Sequence, residues 1–145
     1  MKKRFAEVHI KISKNEAAEI IRLMEEVPNA IQELCQWLHS TRPRKTLSVK
    51  DVHLGVAEIL ESKGSRFMER MVHLREKERQ VLIGIAKFQP IKKINQTQFV
   101  QATGVSATGI QAAVKRFYDQ GVVDRLPAGY VLVDPLFKLF LATLP

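Results

Sequence analysis

Apolar residues recur at helical spacing along most of this chain, and the exceptions mark where elements begin and end. Residues 4–13, RFAEVHIKIS, alternate instead, with Phe5, Val8, Ile10 and Ile12 set between Glu7, His9 and Lys11. That period predicts a short strand or an extended entry segment. Ser13 is followed three residues later by Glu16, the spacing of a reciprocal helix cap. The helix it opens is expected to run to about Glu26, with Ala17, Ile20, Ile21 and Met24 on one face. Pro28 suits the first turn of a second helix, where its missing N–H has no partner in any case. Ile31, Leu34, Cys35 and Leu38 are the apolar stripe of that helix. HSTRPRKTLS is a polar connection through Pro43. Ser48 and Asp51 form a second capping pair, ahead of a helix carrying Val52, Val56, Ile59 and Leu60. Gly64 then predicts a break, followed by a short helix with Phe67, Met71 and Leu74.

From Glu76 the order of elements changes. One helix sets Val81, Leu82, Ile85 and Phe88 on one side, and QPIKKINQ links it to the next. Asn95 and Gln98 are placed as a reciprocal cap for a helix with Phe99, Val100 and Ala102. Gly104 ends that helix by supplying a left-handed backbone, and Ser106 caps its successor. Gly121 ends the successor in turn. VVDRL, the turn PAG and YVLV read as a two-stranded hairpin. Asp134-Pro135 opens a last helix, with Asp at the cap and Pro in the first turn. Helix, helix-turn-helix and hairpin in this order are a winged helix. The expected fold is therefore mainly α: a helical subdomain over 1–74, then a winged helix-turn-helix with a small β-hairpin over 75–145.

At 100° per residue, Ile110, Val114 and Phe117 share the inner face of the helix that starts at Ser106. The outer face presents Thr108, Ala112, Lys115 and Asp119, flanked by Gln111 and Arg116. Small and amide side chains reach base edges, Gln111 matching adenine and Ala112 a thymine methyl. Lys115, Arg116 and the hairpin's Arg125 reach phosphates, joined by Lys92 and Lys93. The candidate DNA-binding residues are thus Ser106, Thr108, Gln111, Lys115, Arg116 and Arg125. An ordinary solvated helix face is the competing interpretation, since fold alone does not define function. The charge is consistent with an anionic partner: the net charge is +8, and both halves of the chain are basic.

Several segments resemble a known family. REKERQVLIGIAK, TGVSATGIQAAVKRFYDQGVV and the ending GYVLVDPLFKLFL are similar to the C-terminal winged helix of the archaeal-type ATPases, which are AAA-like P-loop NTPases. PNAIQELCQWL and LSVKDVHLGVAEIL resemble the two lid helices of these ATPases, so the resemblance covers nearly the whole chain. It implies a lid-like subdomain joined to a regulatory, DNA-binding winged helix. The family's phosphate-binding loop, Gly-x-x-x-x-Gly-Lys-Ser/Thr, is not in the sequence, and no apolar strand ends in paired acids for magnesium. The lid helix also lacks the first-turn arginine with which many AAA proteins sense nucleotide. The resemblance thus implies a chain that begins where the nucleotide-binding core would end: an excised C-terminal fragment, with Met1 added, or a relative that lost its core. The fragment is the expected form, because RFAEVHIKIS is similar to the family's exit from its last core strand.

Other clusters point to no chemistry of their own. Cys35 and His39 are spaced i, i+4, but His9, His53 and His73 are not spaced to complete a zinc set, and no base pairs with Cys35. A core cysteine beside a surface histidine is expected, and so is the absence of metal and cofactor. Glu25/Glu26 and Glu76/Glu78 diverge around their helices and are expected as surface charge. Arg42, Arg44, Lys45 and Lys50 form a basic loop, expected to be solvated. Phe137, Phe140 and Leu141 are expected in the core. A single cysteine excludes a disulfide framework and sets a reducing cytoplasm as the expected location. No apolar run is long enough to span a membrane. The expected function is non-catalytic, as the C-terminal regulatory and DNA-binding region of an AAA-like ATPase. Its candidate partners are DNA, the missing ATPase core or another protein domain. The alternatives are a protein-interaction winged helix, a stand-alone winged-helix transcriptional regulator and an origin-recognition initiator. The DPLFKLFL ending counts against the last of these.

Overall fold

The computed structural model describes residues 12–43 and 46–145. Most of the expected entry strand, and Arg44 and Lys45 of the basic loop, lie outside the described residues. Among those described, the fold is mainly helical, with one two-stranded antiparallel hairpin. The elements are α1 (Lys14–Leu23), α2 (Pro28–Thr41), α3 (Val49–Val72), α4 (Glu76–Phe88), α5 (Thr97–Thr103), α6 (Ala107–Asp119), β1 (Val123–Leu126), β2 (Gly129–Leu132) and α7 (Pro135–Ala142). The chain divides into two compact units, Met1–Lys63 and Gly64–Pro145.

The first unit holds α1, α2 and the first part of α3 around Ile20, Met24, Leu34, Leu38, Val52 and Ile59, all at most 1% exposed. A Cβ added at Gly55 would lie 2.7 Å from Leu38 Cδ2, so a glycine there lets α2 approach α3 closely. Ser13 is the N-cap of α1, but its hydroxyl takes no N–H of the first turn, and the expected reciprocal cap with Glu16 is not made. Free N–H groups at an exposed helix start are satisfied equally well by water. α1 ends at Leu23 rather than near Glu26. Glu25 and Glu26 adopt left-handed φ of 52° and 61°, which reverses the chain toward Pro28 while Met24 stays buried. The capping pair before α3 forms as expected: the Ser48 N–H donates to Asp51 Oδ2 (2.9 Å), and the Asp51 N–H donates to Ser48 Oγ (3.2 Å).

Arg42, expected as solvated loop charge, is instead held at the end of α2. Its guanidinium donates to both Glu58 carboxylate oxygens at 3.0 Å and lies 3.6 Å from Asp51 Oδ1. Trp37 Nε1 also donates to Glu58 Oε1, at 2.9 Å. Hydrogen bonds from Arg42 first, and then from Trp37, hold the Glu58 carboxyl below the usual glutamate range. The Arg42 guanidinium is shifted upward, with its hydrogen bond to Glu58 as the leading cause.

Gly64 does not break the chain into two helices, because α3 runs unbroken from Val49 to Val72. One helical glycine costs only about 1 kcal/mol. Burial of Phe67 and Met71, 4% and 2% exposed, outweighs that cost. The sequence places the division between subdomains at 74/75, whereas the compact units meet at 63/64. The intervening residues carry Phe67, whose ring stacks 5.2 Å from Phe137 and 5.1 Å from Phe140 within the second unit.

The second unit is built around α4, which packs on α5, α6, β2 and α7. Val81, Leu82, Ile85, Ile110, Phe117 and Phe137 form its centre. β1 pairs antiparallel with β2, Val123 opposite Leu132 and Leu126 opposite Gly129. The link after α4 adds a short third edge: the Ile91 N–H donates to the Tyr130 carbonyl (3.0 Å), and the Tyr130 N–H donates to that of Ile91 (2.9 Å). Gly129, at φ 136°, is required at this crossing, because a Cβ there would lie 2.5 Å from the Ile91 carbonyl carbon. α5 starts at Thr97 with Gln96 as its N-cap, not Asn95, since the Gln96 N–H closes a turn onto the Lys93 carbonyl at 3.3 Å. Gly104 ends α5 in the left-handed conformation, φ 69°. Asp134 Oδ1 accepts from the Leu136 and Phe137 N–H groups and starts α7 behind Pro135. Phe137 and Leu141 are buried as expected, and Phe140 is half-buried.

Candidate nucleic-acid interface

α6 is the second helix of the helix-turn-helix. The Ser106 hydroxyl accepts from the Gly109 N–H at 3.2 Å and fixes the helix start. Ile110, Val114 and Phe117 are at most 2% exposed and anchor the inner face. Thr108, Gln111, Lys115 and Arg116 are exposed on the other side. Ser106 is exposed too, but its oxygen is already engaged as the cap.

Three of the expected residues meet. Gln111 and Lys115 of α6 and Arg125 of β1 line one cleft of about 410 Å³, together with Val114. Ile94, from the link before α5, forms another wall. Tyr118 and Tyr130 complete the lining and were not singled out from the sequence. Tyr118 is 51% exposed. Arg125 lies across the hairpin from Tyr130, with its guanidinium carbon 5.5 Å from the ring centroid. A visible signal could have found both tyrosines. Tyr118 follows Lys115 by three residues, on the same helical flank, and Tyr130 is the strand partner of Arg125.

Arg116 has a different partner. Its Nη1 donates to Glu78 Oε2 at 2.6 Å. Glu78 Oε1 also accepts from the Arg75 N–H at 3.0 Å, so one carboxylate ties the start of α4 to α6. The other half of a reciprocal cap is chemically unavailable, since an arginine side chain accepts no hydrogen bond. Glu78 is only 9% exposed, so it is not the surface charge expected from its spacing with Glu76. Side-chain orientation around a helix cannot reveal a partner that arrives from another helix. Thr108 does not line the cleft.

The lining of the cleft holds two cations, Lys115 and Arg125, and no carboxylate. No Asp or Glu occurs between Glu78 and Asp119, a span that holds Lys87, Lys92, Lys93, Lys115 and Arg116. Phosphates drawn to the cleft would meet no carboxylate from the helix-turn-helix before Asp119.

Elsewhere, Cys35 is buried on α2. Among the described residues, no group of three or more His, Cys, Asp or Glu is placed to hold a metal ion. Among the same residues, no helix is long and apolar enough to cross a membrane.

A family profile described as "Probable winged helix domain" matches residues 65–143, more than half of the chain. The chain belongs to this winged-helix family. No curated protein matches it.

Proposed function

We propose that the chain binds duplex DNA through the cleft between α6 and the hairpin, with weak and mainly electrostatic affinity. The observation that carries this is the meeting of Gln111, Lys115 and Arg125 around one cleft whose lining holds no carboxylate. In this role α6 enters the major groove, where Gln111 reads a base edge and Lys115 contacts a phosphate. Arg125 reaches the flanking backbone from the hairpin. Two further points of the proposal rest on the resemblance of residues 28–60 and 75–141 to the archaeal-type ATPases. The preceding helices serve as a lid-like relay, and the whole chain acts as the non-catalytic C-terminal region of such an ATPase, in the cytoplasm.

Titration of a labelled random-sequence duplex by fluorescence anisotropy tests the DNA role. With about three or four phosphates neutralised, log affinity should fall with log salt at a slope of roughly −2.7 to −3.6. Raising salt from about 50 to about 200 mM should then weaken binding by about two orders of magnitude. Lys115→Ala should weaken all sequences alike and flatten the slope by about one, because a phosphate contact carries no base information. Arg116→Ala should change the slope less, since Glu78 holds that guanidinium. Absence of duplex binding at low salt, or binding indifferent to Lys115→Ala, would remove DNA from this proposal.

A further inference from the structure

A second pocket takes in other residues of the link between α4 and α5. It measures about 500 Å³, with apolar lining from exposed Phe88 and Pro90 and buried Ile91 and Phe99, and polar lining that includes exposed Lys92 and Gln98. Phe88 is 56% exposed, although its spacing with Val81 and Ile85 places it on the apolar stripe of α4. It lies on the last turn, where it walls this pocket instead of the core. The link itself is held in place by the two backbone hydrogen bonds between Ile91 and Tyr130. The pocket is therefore part of the folded unit. Its size is in the range of small-ligand and side-chain pockets.

We propose that this pocket captures a short acidic peptide segment of a partner protein, one that carries an aromatic or aliphatic anchor between carboxylates. Both halves of that chemistry are matched. Phe88, Pro90 and Phe99 offer an apolar lining that gains from burying an anchor side chain. Exposed Lys92 in the lining meets the flanking carboxylates, and no acidic residue lies between Glu78 and Asp119 in the sequence to oppose them. Gln98 supplies amide donors and acceptors for an extended backbone. A nucleic-acid backbone fits less well, because phosphates gain nothing from an apolar lining. This site is separate from the DNA cleft, which takes Ile94 of the same link and none of the lining residues named here.

The experiment uses the full chain and a fluorescein-labelled octapeptide, Asp-Glu-Asp-Phe-Asp-Asp-Leu-Glu, with a control in which serine replaces Phe and Leu. Anisotropy should give at least about tenfold tighter binding of the first peptide than of the control, as expected for burying apolar anchors. Amide NMR shifts should concentrate between Phe88 and Ala102. Phe88→Ser should weaken binding by about tenfold, and Lys92→Glu by a factor of about three to five. Both positions are exposed, so amide spectra and melting points should show each variant folded. Lys115→Ala, in the DNA cleft, should leave peptide affinity unchanged, which separates this site from the DNA proposal. Equal binding of the two peptides, shifts mapping elsewhere, or parental affinity in both pocket variants would overturn the proposal. Tighter binding of an oligothymidylate at the same amides would do so too, and would assign the pocket to nucleic acid.

Discussion

Glu58 shows how much a single side chain can organise. It receives two hydrogen bonds from Arg42 and one from Trp37, and so links the end of α2 to the middle of α3. Its lowered pKa makes a signed prediction. A carboxyl whose folded value lies below its unfolded value stabilises the fold above the unfolded value, and that contribution is lost as pH falls through the folded one. Trp37 is the only tryptophan in the chain, so its emission reports on this contact directly. Acid titration should show a change in emission below the usual glutamate range, and Glu58→Gln should remove that step. A step that persists in the variant would assign the change to another carboxyl. Neither the ion pair nor the indole contact is legible from the sequence, where Arg42 belongs to a polar loop and Trp37 to a helix end.

At the scale of elements, α3 and α7 give opposite lessons. Gly64 reads as a stop signal, yet it lies inside α3, with only Phe140 Cε2 near the position of a Cβ, at 3.9 Å. Gly64→Ala should therefore stabilise the chain by about 0.5–1 kcal/mol through the lower backbone entropy of its unfolded state. Urea unfolding measures this, and a destabilised variant would show that the helix needs a glycine there. The start of α7 is written into Asp134-Pro135, and Phe137 and Leu141 are buried as expected, while Phe140, expected in the core with them, is half-buried. Phe137 is 2% exposed, stacks on Phe67 and has the Arg70 guanidinium 4.0 Å above its ring. Phe137→Ala should cost about 3–5 kcal/mol, read as a fall in melting temperature. An unchanged melting temperature would mean that α7 contributes nothing to the core.

For the whole molecule, a basic winged helix with a cleft lined by no carboxylate offers a surface for binding. The purified chain should not hydrolyse ATP, because no loop in its sequence can cradle phosphates. A phosphate-release assay across the elution peak checks this, and activity that tracks the protein would refute it. Two pockets of the second unit both take residues from one short link, residues 89–96. The proposed DNA and peptide sites would use different residues of the same connection.

The sequence by itself determined the winged-helix order, because each of its signals acts within a turn or two of the chain. Gly104 supplies a left-handed residue, Ser106 a cap, Asp134-Pro135 a helix start, and the Pro127-Ala128 turn joins paired strands. It also determined which face of α6 is polar, since the period of a helix is fixed. Only the tertiary structure decided which polar residues on that face are available. Glu78 reaches Arg116 from another helix, Tyr130 meets Arg125 across the hairpin, and Ile91 fastens the link to β2. Such pairings join residues far apart in the chain. They depend on how elements pack, and no local period or capping rule encodes that packing.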